Sequence, residues 1–72
     1  MSPRYPRVSG SELASALQKL GFVAIRQKGS HAMLKRGSVA CIVPMHRELK
    51  TGTLAGILKQ AGVSLDDLHE YL

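Results

Sequence analysis

The sequence predicts an α+β domain: a three-stranded antiparallel sheet with helices packed on one of its faces. Two observations carry that expectation. Leu13, Ala16, Leu17 and Leu20 near the start, and Leu54, Ile57, Leu58 and Ala61 later, recur at helical spacing. Between them lie three short apolar runs separated by two Gly-Ser turns, the pattern of consecutive hairpins. The resulting order is α-β-β-β-α, with a short terminal helix after it.

Each element follows from local chemistry. Residues 1–8 hold two prolines and two arginines without periodicity and read as a flexible N-terminal arm, leaving 9–72 as a single domain. Ser9 and Glu12 match a capping box, so a helix is expected over about 10–20, closed by Gly21. Residues 22–26, 31–35 and 39–43 read as strands, joined by turns at Lys28-Gly29-Ser30 and Arg36-Gly37-Ser38, with Pro44 stopping the third. If Ala32 and Leu34 face the core, alternation puts His31, Met33 and Lys35 on the opposite, accessible face. The third strand is apolar on both faces, which leaves part of it uncovered. Residues 45–50 form a loop, Thr51 is the expected N-cap of the second long helix, and Gly62 ends it. Ser64, Asp66 and Asp67 then start a short terminal helix.

Size and charge narrow the function. The chain has 72 residues, one domain's worth, and a domain this short buries only about 60% of its unfolded surface. With Cys41 as the single cysteine, no intrachain disulfide can form, and nothing resembles a zinc ligand spacing. The start has no apolar signal core and no segment is long enough to span a bilayer, so a cytoplasmic chain without membrane, metal or cofactor is expected. All ten Lys and Arg lie within residues 1–63, against two acids, giving that body a net charge of +8. Such a body suits a polyanion, because phosphate neutralisation supplies most non-specific nucleic-acid affinity. With no Trp, one Phe and two Tyr, an aromatic stacking platform for single strands is missing.

The chemistry-bearing residues cluster around two turns. RNA carries its own nucleophile, the 2′-hydroxyl, so cleavage needs only a proton carrier and cations to neutralise phosphate. Imidazole titrates near neutrality, which makes His31, on a strand start after Gly29-Ser30, the candidate acid–base residue. Lys28 precedes that turn, and Lys50 precedes the second helix, whose first residues Thr51, Gly52 and Thr53 offer backbone donors to a phosphate. Arg26 and Lys35 could flank the same site. His46 either completes an acid–base pair with His31 or orders the loop after the third strand. Cys41, inside an apolar run, reads as a small core residue.

Taken together, Lys28-Gly29-Ser30-His31, Val43-Pro44-Met45-His46, Glu48 to Leu54 and Ile57 to Gly62 resemble the HicA family of mRNA-interferase toxins. The likeness also takes in Leu20-Gly21-Phe22 and runs over most of residues 9–72. It implies a double-stranded-RNA-binding-domain-like fold, metal-independent cleavage of mRNA, and silencing by a HicB antitoxin in a type II toxin–antitoxin system. By resemblance the catalytic histidine falls on His31, with Gly29 matching the family glycine before it and Ser30 the intervening position. His46 matches a histidine frequent after the third strand, as a catalytic or RNA-contacting group. The short hairpin at Arg36-Gly37 departs from many members, and the arm through Arg7 has no assigned counterpart. Two other readings compete: a non-catalytic RNA-binding module of the same fold, in which His31 only contacts the backbone, and a pure protein-interaction domain suggested by the apolar third strand.

Overall fold

The computed structural model describes residues 4–72, in the order α1 (Gly10–Lys19), β1 (Val23–Lys28), β2 (His31–Arg36), β3 (Val39–Pro44), α2 (Thr51–Ala61) and α3 (Leu65–Tyr71). The three strands form one antiparallel sheet in sequence order. Ala32, Leu34, Cys41 and Val43 are buried on the face that meets Leu13, Leu17, Leu54, Ile57 and Leu58 of the helices. This is the expected α+β arrangement, a fold like that of a double-stranded-RNA-binding domain.

Local sequence explains the helix ends. At α1 the Glu12 amide donates to Ser9 Oγ at 3.0 Å and the Ser9 amide to Glu12 Oε1 at 2.9 Å, a reciprocal cap. Losing a serine cap of this kind costs about 0.5–2 kcal/mol. α3 repeats the device with Ser64, which accepts from the Asp67 amide at 3.0 Å. α2 differs from expectation. Its N-cap is Lys50 rather than Thr51, and no side chain caps it. The reason lies one residue upstream: buried Leu49 donates its amide to the Val8 carbonyl at 2.8 Å, which holds the approach extended and starts the helix at Thr51. Lysine carries no acceptor, so the first-turn amides of α2 are left to solvent or a ligand.

That same bond corrects the reading of the N-terminal arm. Val8 is a core residue, Tyr5 packs on the core, and His69 Nε2 donates to the Arg4 carbonyl at 3.1 Å. Residues 4–8 therefore lie against the body, because Val8 fills apolar space between the helices and the α2 entry. Residues 1–3 of the expected arm lie outside the described residues.

Both hairpins close through two-residue turns. Lys28 faces His31 and Arg36 faces Val39, leaving Gly29-Ser30 and Gly37-Ser38 as the connections. Gly29 and Gly37 have φ of 59° and 61° while Ser30 and Ser38 do not turn positive, the type II′ pattern that matches strand twist. β1 starts and ends later than the sequence suggests. Phe22 is not in the strand but buried ahead of it, with the Arg36 guanidinium 4.7 Å above its ring and donating to the Leu20 carbonyl at 2.9 Å.

A bulge in β1 decides which of its side chains share the open face. The register runs Val23 to Lys35 and Ala24 to Leu34, then skips Ile25 and resumes with Arg26 to Met33, Gln27 to Ala32 and Lys28 to His31. In an unbroken strand, Val23 on the outer face would put Arg26 and Lys28 on the helix side, because side chains alternate. One extra residue reverses the phase. Arg26 and Lys28 thereby join His31 on the open face.

Candidate functional site

The open face is a small lattice whose rows are fixed by strand register. Lys28, His31 and Pro44 form one row, and Arg26, Met33 and Ile42 form the next. Successive rows stand about 6.6 Å apart, two residues of strand rise. Arg26, Lys28, His31, Met33 and Ile42 line a shallow hollow of about 280 Å³. No carboxylate lines it. Lys35 lies on the same face but two rows further from the turn, opposite Val23 and Ala40, and does not line the hollow.

Three features hold the turn that presents His31. Gly29 takes the positive φ, where a Cβ would meet nothing within 4 Å, so its requirement is conformational rather than spatial. Gln27 Nε2 donates to the Gly29 carbonyl at 3.2 Å. The Met45 amide donates to the Ser30 carbonyl, tying the turn to the chain leaving β3. The His31 imidazole itself is exposed and makes no side-chain hydrogen bond among the described residues.

His46, Lys50 and Thr53 are placed elsewhere. With Pro44, Glu48 and Leu49 they line a second hollow of about 250 Å³ at the start of α2. The two hollows share no lining residue, so the expectation of one convergent anionic site resolves into two neighbouring ones. Pro44 connects them: it pairs with His31 across the ladder and lines the second hollow. Thr51 and Gly52 are exposed in the first turn of α2, and a Cβ at Gly52 would meet open space. Glu48 places a carboxylate beside Lys50 and His46, which the first hollow lacks.

Other titratable groups stand apart. Cys41 is 1% exposed among apolar neighbours, and burial pushes its thiol pKa up, away from the thiolate a nucleophile needs. Among the described residues no group of three or more His, Cys, Asp or Glu could hold a metal ion. No helix among them is long and apolar enough to cross a membrane. Sequence reasoning missed Met33 and Ile42 as site residues. Their signal was present, since Ala32, Leu34, Cys41 and Val43 inside force Met33 and Ile42 outside.

A basic α+β domain that presents an imidazole beside two cations on an open sheet is the class this arrangement defines. Residues 10–63 match the family described as HicA toxin of bacterial toxin-antitoxin, a span well over half of the chain, and the protein belongs to that family. It is a toxin of a toxin–antitoxin system, and membership implies a cognate antitoxin and RNA targets. Comparison with curated proteins finds no match.

Proposed function

We propose that this toxin is an endoribonuclease that cleaves mRNA in the cytoplasm without a metal ion, with His31 moving the proton. The observation that supports it most is the bulge-dependent gathering of Arg26, Lys28 and His31 on one exposed face. In the reaction, an imidazole nitrogen of His31 takes the proton of a 2′-hydroxyl as the oxygen attacks the adjacent phosphorus. The bond to the 5′-oxygen breaks, and that oxygen receives a proton from water or from an imidazolium. Arg26 and Lys28 offset the charge that builds on the phosphoryl oxygens. His46 and Lys50, with the first-turn amides of Thr51, Gly52 and Thr53, hold a neighbouring phosphate in the second hollow, and Ser30 and Gly29 contact backbone at the turn. Lys35 adds charge further along the strand path. A HicB-type antitoxin, in a type II system, covers the His31 face and blocks access.

The test uses purified protein and a synthetic mRNA fragment in excess EDTA. The expected products carry a 2′,3′-cyclic phosphate or 3′-phosphate on one fragment and a 5′-hydroxyl on the other, while DNA of the same sequence stays intact. Products with a 5′-phosphate, or activity restored only by a divalent ion, overturn the proposed chemistry. RNA bound tightly yet left intact would replace it with the non-catalytic RNA-binding reading.

A further inference from the structure

Met33 and Ile42 are unexplained by phosphate binding. They are direct cross-strand neighbours, Ile42 is 39% exposed, and together they floor a hollow whose other walls are Arg26, Lys28 and His31. A double helix would leave that floor unused, since paired RNA is recognised through phosphates and 2′-hydroxyls. We infer that the hollow seats the base of an unpaired nucleotide on Met33 and Ile42, with its phosphate turned toward Arg26 and Lys28, so that the toxin takes single-stranded RNA. The inference deepens the endoribonuclease reading and rests on it.

Three physical arguments converge. First, charge is one-sided. Arg26 and Lys28 lie on the β1 side of His31 and Ile42 on the β3 side, so a nucleotide has one orientation that places phosphate on cations and base on hydrocarbon. Second, the hollow of about 280 Å³ is at or below the small end of ligand pockets, roughly 300–1,000 Å³. It suits one flat group rather than a docked helix or strand of a partner protein. Third, attack by a 2′-hydroxyl requires that oxygen, phosphorus and leaving oxygen to come into line. The regular sugar–phosphate geometry of an A-form helix holds them out of line, whereas an unpaired nucleotide can rotate into it. An aliphatic floor also reads no hydrogen-bonding edge of a base, so contact there tolerates every base.

The experiment measures binding by fluorescence anisotropy with a 2′-O-methyl RNA decamer, which lacks the nucleophile and stays intact, free or annealed to its complement. The single strand is expected to bind at least tenfold more tightly than the duplex at equal salt. Ile42→Ser and Met33→Gln, each shown folded by circular dichroism, should weaken single-strand binding about three- to tenfold and leave duplex binding unchanged. An abasic site walked along the decamer should cause the same loss at one position, without altering the protein. In parallel, cleavable RNA with an unpaired loop should be cut in the loop and spared in the stem.

Equal affinity for duplex and single strand overturns the inference, as does single-strand binding indifferent to Ile42, Met33 and the abasic site. Loss of antitoxin capture alone in Ile42→Ser also overturns it, by making the floor a protein contact. The binding arm does not depend on chemistry. Ile42-dependent binding without any cleavage leaves the base site standing and removes the nuclease reading, and stems cut as fast as loops do the reverse.

Discussion

The Gly10 amide donates to the His46 carbonyl at 2.8 Å, and a Cβ on Gly10 would lie 2.0 Å from the Pro44 carbonyl oxygen and 2.7 Å from the Met45 Cα. The first residue of α1 is thus pressed against the backbone that leaves β3. Because Met45 in turn holds the Ser30 carbonyl, the start of α1, the β3 exit and the His31 turn are joined in one run of backbone hydrogen bonds.

Gly10→Ala should therefore be among the costly small substitutions in the chain. Overpacking against rigid backbone costs about 1–3 kcal/mol, or roughly 5–20 °C in Tm for a domain of this size. Gly56→Ala is the contrasting case. Gly56 is exposed within α2, and a Cβ there would meet nothing within 4 Å, so alanine should raise stability by about 0.5–1 kcal/mol through helix propensity. Thermal unfolding of both variants checks the pair. Equal shifts would show that the α1–β3 contact relaxes freely.

His31→Ala is expected to keep the fold and lose growth inhibition. The side chain is exposed, so truncation opens no cavity. Loss of a general acid or base typically costs about 10²–10⁴ in rate. Induction of both proteins in a bacterial host, with circular dichroism on each, separates chemistry from folding. A folded variant as toxic as the parent removes His31 from the reaction.

Cys41 should react slowly with alkylating reagents in the native protein and quickly once unfolded. Burial raises its thiol pKa above the ordinary 9.0, so the native state holds its proton after the unfolded state has lost it. The unfolded state then binds fewer protons, and stability falls as pH rises beyond about 9 toward the native value, with no contribution below. Alkylation rates across a urea series, and urea midpoints at pH 8 and pH 10, test this. A Cys41→Ala variant should lose that part of the pH dependence.

The cognate antitoxin is expected to slow hydrogen exchange over residues 28–35 and to quench RNA cleavage. The body is +8 over residues 1–63, so the covering surface should be acidic and its association rate should fall with salt. Exchange measured with and without the partner decides. Binding that leaves residues 28–35 exchanging as in the free toxin rules out inhibition by occlusion.

Much of this architecture can be read from short-range chemistry. Ser9 with Glu12, Gly29 and Gly37 in two-residue turns, and the alternation of Ala32 and Leu34 each act within a few residues, and each is found where the sequence places it. What escapes is set by distant contacts. Lys50 takes the N-cap position of α2 because Leu49 is held by Val8, far upstream. Residues 4–8 look like a linker, yet Val8 supplies core surface that no local pattern announces. The Ile25 bulge is invisible because Val23 and Ile25 look like an ordinary alternating strand, while the partner's register decides which residue is extra. The division of the expected anion site into two hollows has the same origin, since only tertiary structure fixes where the β3 exit runs.

The bulge also bears on how the protein behaves at high concentration. Every residue of β1 is exposed, and Val23 and Ile25, 61% and 53% exposed, would make its free edge a template for another copy's strand. An irregular backbone at Ile25 followed by Arg26 and Lys28 discourages such stacking through misfit and like-charge repulsion. Arg26 and Lys28, the cations proposed to meet phosphate, would therefore also act as gatekeepers against self-association. Neutralising them to disarm the toxin should yield a protein that is harder to keep dispersed, and a rescue screen will favour variants that restore positive charge on this edge.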